Sequence, residues 1–560
     1  MSKKKAALFC LAAWMGLNLW HASAIPLLAD EMYYAAWAQH PSWSYFDHPP
    51  LIAWLIRAGQ MLVAGQLGVR LPALVCHLGT LLWAWHILGD AKKLTHWLLL
   101  GVATLLFHAS ALLAVPDSPY LLGCTAFLAF YRQFLRNARG ASTLGMAFSA
   151  AWMVCSKYHG WIFLGLVLAP NALFFVQQFK RTLPAFFLFF VLIAPVYIPA
   201  ARQGFETLAV HLGGRQVANP FPRSTLDFLG GWLLSTGFWL YPVGVYWVLS
   251  RKPTDKFQWS LVSVAVGFPL LVGGISLFSS VEANWPAPAL LALLLSLVEE
   301  KWPFRHPPKR ILGALIPLWC GVLGLRIVSA ARPELLASWR PLDFSPPSAW
   351  VDPVRQAAGH APVVFLNSYQ MAAAYSWHTG LKAFSLNNFN YRRNQYDIWQ
   401  WDTASWDKPV YLVSSWPFPG MTQVTDTPFD LYGISLKHFF ALPQLTLRWS
   451  EPSQRLRPGH YVEGQLLVKN TYLKDVPESF KTAGFHVLVT FWEDGRRVDS
   501  AEQYIPLPED LFPFKSQAIR EFPIRFCAPK KPGEYRVNFC LRTGWLESGY
   551  NSPFYFVKVL

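Results

Sequence analysis

Long apolar runs recur along this 560-residue chain between Ala6 and Ala330. A run of about twenty apolar residues is long enough to cross a bilayer as a helix. Hydrophobic residues make up 53% of the chain and charged residues only 14%, which sets the composition apart from that of an ordinary soluble enzyme. The pattern therefore predicts a polytopic α-helical membrane domain in the first part of the chain.

We predict about eleven membrane spans from these runs. They cover residues 6–25, 71–88, 95–114, 118–135, 141–155, 158–178, 183–200, 226–249, 258–279, 284–298 and 311–330. Residues 51–70 are less uniformly apolar, because Arg57, Gln60 and Gln66 interrupt them. We interpret this stretch as a helix that lies along the membrane interface.

Basic residues predict how the spans are oriented. Lys3, Lys4 and Lys5 precede the first span, which indicates a cytoplasmic N-terminus. From that start, the basic clusters of the loops all fall on the cytoplasmic side: Lys92/Lys93, Arg136/Arg139, Lys180/Arg181, Arg251/Lys252/Lys256 and Lys301/Arg305/Lys309/Arg310. An odd number of spans then places the C-terminal part outside. We expect a multi-pass protein of a bacterial-type inner membrane with periplasmic C-terminal domains.

Two further expectations follow from this part of the chain. The first run ends in Ala22-Ser23-Ala24, which resembles a signal-peptidase site, so cleavage is the alternative to the retained first helix that we expect. The net charge of +16 lies largely in loops between spans, where it fixes topology. We therefore expect no nucleic-acid partner.

Three short polar stretches interrupt the apolar pattern and fall on the predicted outer face. They are residues 30–50 (DEMYYAAWAQHPSWSYFDHPP), 115–119 (VPDSP) and 281–286 (VEANWP). Carboxylates at the ends of spans are costly unless they are hydrated, paired or bound to a cation. We predict that these three polar stretches meet in one cavity at the outer leaflet and form an active site.

The residue types in these stretches suit group transfer to a hydroxyl. The adjacent Asp30 and Glu31 suit general-base work, with one carboxylate orienting the other or holding a metal ion. Lys157 and Arg215, elsewhere on the same predicted face, suit the neutralisation of a phosphate leaving group. Tyr33 and Tyr34 could stack on sugar faces or form an interfacial belt.

The candidate residues also have purely structural interpretations, and the adjacent Asp30 and Glu31 could simply belong to a solvated loop after a helix. Asp117, between Pro116 and Pro119, could only shape a turn, and His48 could only cap the helix that follows it. His159 could be a satisfied interfacial residue. Glu282 and Asn284 could be helix-entry residues.

Several motifs resemble one family of membrane enzymes. The 30–50 stretch, VRLPAL at 69–74, VPDSP and SKYHGW at 156–161 are similar to glycosyltransferases of the family 39/83 type. That group includes the protein O-mannosyltransferases and the lipid A aminoarabinose transferases of the GT-C superfamily. VEANWPAPA at 281–289 and RRNQYDIW at 392–399 resemble a bacterial branch of these lipid-linked-sugar transferases.

The resemblance implies a polyprenyl-phosphate sugar as donor, an acceptor on the outer side and inversion at the anomeric carbon. It implies that Asp30 is the catalytic base and that Glu31 and Asp117 are its acidic companions. Asp47-His48 stands where the aminoarabinose transferases have an acidic-basic pair, with His48 in place of their Lys. There the acidic member is linked to a metal, so Asp47 and His211 are candidate ligands of a divalent metal ion. The candidate substrate-binding residues are Tyr33, Tyr34, His48, Lys157, His159, Arg215, Glu282 and Asn284.

After residue 331 the pattern predicts a soluble part. Residues 332–353 are rich in proline and read as a linker. Residues 354–430 alternate buried strands with a helix, which predicts a small α/β domain. Residues 431–560 carry short alternating strands and predict an immunoglobulin-like β-sandwich. Residues 1–331 are then the catalytic membrane domain.

Cys527 and Cys540 fall in this soluble part, and a disulfide between them stays open. A predicted hairpin turn at 528–533 would place Cys540 opposite a residue near Glu521 instead of Cys527. The other five cysteines lie in apolar runs, where they are expected to be core residues.

The sequence thus predicts a glycosyltransferase that needs no nucleotide cofactor, since neither a P-loop nor a dinucleotide fingerprint is present. Its partners would be a polyprenyl-phosphate sugar, a lipid- or glycan-linked acceptor and membrane lipids. Lipopolysaccharide or another envelope glycan is the expected acceptor, and a protein hydroxyl is the variant. The alternative is a protein of a different class, a transporter or flippase of a lipid-linked sugar. Such a protein would be expected to have internal repeats or charged residues buried mid-span.

Overall fold

The computed structural model describes residues 2–137, 140–202, 223–299, 309–332, 335, 348–388, 393–450, 452, 455–493, 496–549 and 551–560. The chain divides into two compact units, Met1–Pro346 and Pro347–Leu560. The first is helical and the second is rich in sheet. The finer domain boundaries at 331, 353 and 430 stay predictions.

The first unit is built from helices of very different lengths. Its described helices are α1 Lys3–Ala24, α2 Ala29–Gln39, α3 Leu51–Leu62, α4 Gly65–Leu88, α5 Ala91–Val102, α6 Leu105–Leu112, α7 Asp117–Asn137, α8 Gly140–Ser156, α9 Gly160–Leu168, α10 Ala172–Gln177, α11 Phe179–Arg202, α12 Arg223–Ser235, α13 Leu240–Leu249, α14 Lys256–Ser276, α15 Ala287–Glu299 and α16 Lys309–Ala331, with a 3₁₀ turn at Ala169–Asn171.

Six helical segments in the described part of the chain are long and apolar enough to cross a membrane. They are Lys3–Ala24, Gly65–Leu88, Gly160–Gln177, Phe179–Ala201, Lys256–Ser276 and Gly313–Ala331. The pair α5 and α6 makes seven if it is counted as one bent span. A polytopic helical unit is therefore confirmed, whereas the count of eleven spans stays a prediction.

One predicted span is sharply bent. Residues 95–114 were expected as a continuous helix, but α5 and α6 meet at 98°. The buried Thr104 hydroxyl donates to the carbonyl of Gly101 at 2.8 Å, and the Thr104 amide donates to the same carbonyl at 2.9 Å. These bonds tighten the last turn of α5 and end it. The segment is predominantly apolar on both sides of Thr104, so its hydropathy does not indicate the bend.

A second predicted span, residues 226–249, is divided into α12 and α13. Between the two helices Gly237 and Phe238 have φ angles of 85° and 51°, in the left-handed region. A helix cannot continue through two such residues, so it ends there.

The stretch predicted as one interfacial helix, residues 51–70, instead contains α3 and the start of α4. The corner between them is very tight, because a Cβ on Gly68 would lie 1.8 Å from the carbonyl oxygen of Val63. Only glycine allows that approach. The helix α3 has 12 residues, too few to span a bilayer. Arg70 consequently lies inside α4 and not at the end of an interfacial helix.

The core of the first unit surrounds α15. Every residue from Ala287 to Val298 in this helix is buried. A helix that is apolar on all sides is expected at the centre of a bundle. It begins directly after the third polar stretch, so that stretch is attached to the most buried helix of the unit.

The second unit begins with an α/β sheet. Its strands are β1 Val363–Leu366, β2 Phe384–Leu386, β3 Val410–Ser414, β4 Thr422–Gln423 and β5 Tyr432–Leu436, in the order β2-β1-β3-β5-β4. The first three pair in parallel and the last two pair antiparallel. The helices here are α17 Ser348–Ala358, α18 Tyr369–Thr379 and α19 Tyr396–Trp399, followed by a 3₁₀ turn at Trp401–Ala404.

A β-sandwich follows in the same unit. Its strands are β6 Leu445–Trp449, β7 Arg455–Leu456, β8 Tyr461–Asn470, β9 Phe485–Glu493, β10 Arg496–Arg497, β11 Gln503–Pro506, β12 Ile519–Cys527, β13 Gly533–Thr543, β14 Leu546–Glu547 and β15 Tyr555–Val559. One sheet runs β10-β9-β13-β15-β7 and the other β12-β8-β6. The inner faces bury Trp449, Phe526 and Phe539 against each other. The predicted order of helical membrane part, α/β part and β-sandwich is confirmed.

The predicted hairpin at 528–533 is wrong. Strands β12 and β13 belong to different sheets, so the chain crosses the sandwich between them. Cys527 lies opposite Tyr461 and Cys540 lies opposite Leu488. All seven cysteines are free thiols.

Candidate active site

The carboxylate of Glu31 is locked into an ion pair with Arg70. Arg70 Nε donates to Oε1 at 2.8 Å and Nη2 donates to Oε2 at 2.6 Å, a two-pronged geometry. Both side chains are fully buried. Arg70 also donates to the carbonyls of Ala22, Ile25 and Pro26, at 2.8–3.1 Å. The pair therefore ties α2 and α4 to the end of α1.

Two backbone amides complete the surroundings of Glu31. The Leu28 amide donates to Oε2 at 3.0 Å, which caps the start of α2. The Ala114 amide donates to Oε1 at 2.9 Å. Each oxygen thus accepts two hydrogen bonds, which uses the full acceptor capacity of a carboxylate. Glu31 holds the first polar stretch against the residue that precedes the second one.

Asp30 occupies a different environment from its neighbour. It lies in the first turn of α2 and is half-buried. Adjacent residues on a helix point in different directions, so Asp30 cannot face Arg70 as Glu31 does.

Asp117 begins α7 and joins three segments of the chain. Lys157 Nζ donates to its Oδ1 at 2.8 Å, and Asn284 Nδ2 donates to its Oδ2 at 3.1 Å. The exposed fraction of the side chain is 9% for Asp117 and 3% for Lys157, while Asn284 is half-buried. The second and third polar stretches meet directly at this carboxylate.

The rest of the first stretch forms an aromatic cluster. Tyr33 donates its hydroxyl to Asp47 Oδ2 at 2.9 Å, and both residues are buried. The ring of Tyr34 lies 6.0 Å from that of His48 and 5.0 Å from that of Trp37. The structure therefore brings these candidates together on one side of α2.

Two other candidates lie beside the Asp117 group. The imidazole of His159 packs against Trp285 with ring centroids 4.7 Å apart. Glu282 is exposed, unlike Asn284 two residues later.

Among the residues described, no group of three or more His, Cys, Asp or Glu side chains is placed to hold a metal ion. Asp47, the described member of the predicted metal pair, accepts from Tyr33 instead. His211 and Arg215 lie outside the described residues, so their assignments stay predictions.

Arg70 is the residue that the sequence interpretation missed. It was placed in an interfacial helix, where a charge would be solvated. A single arginine in the otherwise apolar VRLPAL motif was the available signal, since a charge at membrane depth needs a partner. The identity of that partner, 39 residues away, could not be derived from spacing.

Comparison with known proteins gives results of two kinds. The dolichyl-phosphate-mannose-protein mannosyltransferase family matches residues 47–198. That range includes Asp47, Arg70, Asp117 and Lys157. No curated protein sequence matches the chain.

Two crystal structures of ArnT from Cupriavidus metallidurans share the fold. The form bound to undecaprenyl phosphate has a TM-score of 0.57 at 13% identity, covering 77% of this chain and 98% of that chain. The apo form has a TM-score of 0.55 at 13% identity, covering 76% and 97% respectively. With the family match over residues 47–198, this chain has the GT-C glycosyltransferase fold, of the ArnT-like and protein-mannosyltransferase-like type.

Proposed function

We propose that this chain transfers a sugar from a polyprenyl phosphate to an acceptor hydroxyl outside the cytoplasm. The observation that carries the proposal is the junction of Asp117, Lys157 and Asn284, which unites a carboxylate, a cation and an amide from three distant segments. The fold adds support, since ArnT of the same fold has been crystallised with undecaprenyl phosphate.

The proposed reaction is a single displacement. The acceptor oxygen attacks the anomeric carbon from the face opposite the phosphate, so a new C–O bond forms while the bond to the phosphate oxygen breaks. The configuration inverts, and the polyprenyl phosphate leaves with both bonding electrons. The hydroxyl proton passes to a carboxylate, which is the task of a general base.

Asp30 is our choice for that base. Glu31 already accepts four hydrogen bonds, two of them from an arginine. Taking up a proton there would cost the bonds that hold the fold together. Asp117 is neutralised by Lys157 at 2.8 Å. Asp30 is half-buried in the first turn of α2, and the family resemblance assigns it the position of the catalytic base.

Lys157 is our choice for the contact with the leaving phosphate. An ammonium has three N–H donors, and Asp117 uses one of them. The remaining donors suit phosphate oxygens, on which negative charge grows as the sugar departs. Arg215 is a second candidate for the same task.

The sugar would lie against the aromatic cluster of the first stretch. Tyr33, Tyr34 and His48 offer ring faces and polar edges close together. His159 and Asn284 border the Asp117 group, and Glu282 is the exposed candidate nearby. A divalent metal ion held by Asp47 and His211 remains part of the proposal, and no step above requires it.

The proposed setting follows the charge pattern of the loops. The N-terminus would be cytoplasmic, the protein would reside in a bacterial-type inner membrane, and the second unit would be periplasmic. The proposed acceptor is lipopolysaccharide or another envelope glycan, with a protein hydroxyl as the variant.

The deciding experiment compares wild type with Asp30→Asn in liposomes. It measures polyprenyl phosphate released from a panel of polyprenyl-phosphate sugars in the presence of an envelope acceptor fraction. We expect release by wild type, and a fall of about 10²–10⁴-fold in a variant that folds normally. Undiminished release by Asp30→Asn would move the base to another carboxylate. No release from any donor, together with movement of the lipid between leaflets, would favour a flippase and overturn the proposal.

A further inference from the structure

A guanidinium is buried inside the membrane unit without a carboxylate partner among the described residues. Arg326, in α16, is only 6% exposed. Its Nε donates to His21 Nδ1 at 3.0 Å and its Nη1 contacts His108 Nδ1 at 3.1 Å. Its carbon Cζ lies 5.7 Å from the ring of Trp14. An ionisable residue at membrane depth is expensive, which makes its placement informative.

The contacts fix the state of both imidazoles. A guanidinium only donates hydrogen bonds, so Nδ1 of His21 and of His108 must each accept. The proton of each ring is then on Nε2. That nitrogen donates to the carbonyl of Val102 at 2.9 Å in His108 and faces Ser329 Oγ at 3.1 Å in His21. Both rings are therefore neutral, and two lone pairs point at one cation.

The two histidines belong to the segments that lead to the candidate carboxylates. His21 lies near the end of α1, nine residues before Asp30, and His108 lies in α6, nine residues before Asp117. Ala22, next to His21, accepts a hydrogen bond from Arg70. The segment that contains Ala114 is held by Glu31 from the other side. Each segment thus has two anchors, the Glu31–Arg70 pair and Arg326.

We propose that Arg326 is a positioning residue, which sets the spacing of Asp30 and Asp117 by holding His21 and His108 to one guanidinium. The planar fork of arginine fixes two acceptors at defined angles, which a lysine ammonium does not. A misplacement of reacting groups by about 1 Å can cost two orders of magnitude in rate. The inference rests on the proposed function in that it assigns both carboxylates to the reaction.

The test uses the full chain in nanodiscs and four variants. Arg326→Gln removes the cation, and Arg326→Lys keeps the charge but not the fork. His108→Leu removes one acceptor, and His108→Asn keeps an oxygen acceptor close to the position of Nδ1. Amide hydrogen exchange and sugar-transfer kinetics are measured on each.

Asn171→Ala is the matched control. Asn171 is a buried polar residue of the same unit, whose Nδ2 donates to Tyr131 Oη, Ser260 Oγ and the carbonyl of Lys256 at 2.8–3.0 Å. It links helices without contact to either segment under test. If Arg326→Gln acts only through a general loss of packing, Asn171→Ala should change hydrogen exchange and turnover by as much.

We expect amides in residues 26–34 and 110–117 to exchange at least about tenfold faster in Arg326→Gln and His108→Leu, and not in Asn171→Ala. We expect kcat to fall by about ten- to a hundredfold with little change in KM. His108→Asn should keep most of the turnover and exchange protection that His108→Leu loses, and Arg326→Lys should keep only part of what Arg326→Gln loses. In an Asp30→Asn background, Arg326→Gln should add little, since the residue it positions is already gone.

Other outcomes overturn the proposal. Unchanged exchange in both segments shows that Arg326 does not hold them. Faster exchange throughout the unit, matched by Asn171→Ala, shows only a structural role. If wild type transfers no sugar, the proposed function fails, yet the exchange experiment still decides whether Arg326 positions the two segments. If Arg326→Gln does not fold, His108→Leu against His108→Asn gives the same comparison.

Discussion

Two buried carboxylate–cation pairs of the membrane unit, Glu31–Arg70 and Asp117–Lys157, differ in how many of their hydrogen-bonding positions are filled. Glu31 faces Arg70 with both side chains fully buried, and all four acceptor positions are filled from within the chain. Asp117 faces Lys157 through a single contact, and its second partner, Asn284, is half-buried. The first pair is closed, whereas in the second the ammonium of Lys157 has one contact, to Asp117, and no other partner within the described part of the chain.

This difference distinguishes a pair that stabilises the fold from a pair that can also contact a substrate. A saturated pair can gain nothing from a substrate, and breaking it exposes a lone charge to an apolar interior. An ammonium with spare donors can bind an anion without losing its counter-ion. Two carboxylates that look equivalent in sequence are thus suited to different tasks.

The largest effect is expected at the closed pair. Glu31→Gln keeps the shape but leaves Arg70 without its counter-charge, which should cost about 3–5 kcal/mol of stability and abolish folding in marginal conditions. Folded yield by size exclusion and the Tm in detergent measure it. The control is Asp227→Asn, which breaks an exposed pair with Arg223 (N–O distance 3.8 Å) and should leave the Tm unchanged. A Glu31→Gln protein that keeps its Tm but loses turnover would contradict the assignment of a stabilising role to the Glu31–Arg70 pair.

Asp117→Asn should lower turnover more than stability. The amide can still bond to Lys157 and Asn284, so we expect a smaller loss of stability than for Glu31→Gln. Turnover should fall by about 10²–10³, because Lys157 loses the anion that fixes it in place. Steady-state kinetics with kcat and KM measured separately test this. A variant that unfolds as readily as Glu31→Gln, with normal turnover when folded, argues that both pairs only hold the fold.

A carboxylate in the second unit sharpens the comparison, because the side chains that donate to it, Tyr472 and Trp406, are neutral. Asp402 Oδ2 accepts from the hydroxyl of Tyr472 at 2.6 Å and from the indole of Trp406 at 3.3 Å. Burial raises the pKa of Asp402 from 3.8 to about 6. The folded state therefore binds its proton more tightly than the unfolded state, so stability declines as pH rises from about 4 to about 6.

Asp402→Asn should remove that decline. The stability of the variant relative to wild type should increase by about 2–3 kcal/mol between pH 4 and pH 7, at about 1.4 kcal/mol for each unit of pKa difference. The measurement is the Tm of the β-rich unit, followed by circular dichroism in the full chain over this pH range. Parallel curves for the two proteins would mean that the carboxyl is not protonated preferentially in the folded state.

The smallest effect is expected at Asn284. Asn284→Ala removes one hydrogen bond to Asp117 but leaves the Lys157 contact, so we expect a loss of roughly tenfold in turnover, about 1.4 kcal/mol. Asn284→Asp is the informative companion, because a second carboxylate would compete for Lys157. Equal activity of wild type and both variants would show that Asn284 only fills space.

Much of this arrangement could be predicted from the sequence, for reasons that are local. The apolar runs and the alternating strands predicted the helical unit and the sandwich, since hydropathy period reflects burial. Asp117 and Asn284 were selected because each interrupts an apolar run. Their direct contact, across 167 positions, is an outcome of packing.

The sequence predictions that are wrong concern structural features that hydropathy does not reflect. The bend at Thr104 depends on hydrogen bonds from its hydroxyl and its amide, and the break at Gly237 depends on backbone angles. The prediction for Arg70 is wrong because a new helix begins at Gly65, after a tight corner that hydropathy does not reveal. The contrasting surroundings of Asp30 and Glu31 depend on which side of α2 faces Arg70, which requires three-dimensional information.

The bond from the Ala114 amide to Glu31 has a consequence for evolution. Glu31 and Arg70 recognise each other through side chains, so a change in one favours a compensating change in the other. The amide of residue 114 is present whatever side chain stands there, unless it is proline. Aligned homologues should therefore show covariation between positions 31 and 70 and none between 31 and 114. The contact that joins the first two polar stretches would leave no statistical trace in their sequences.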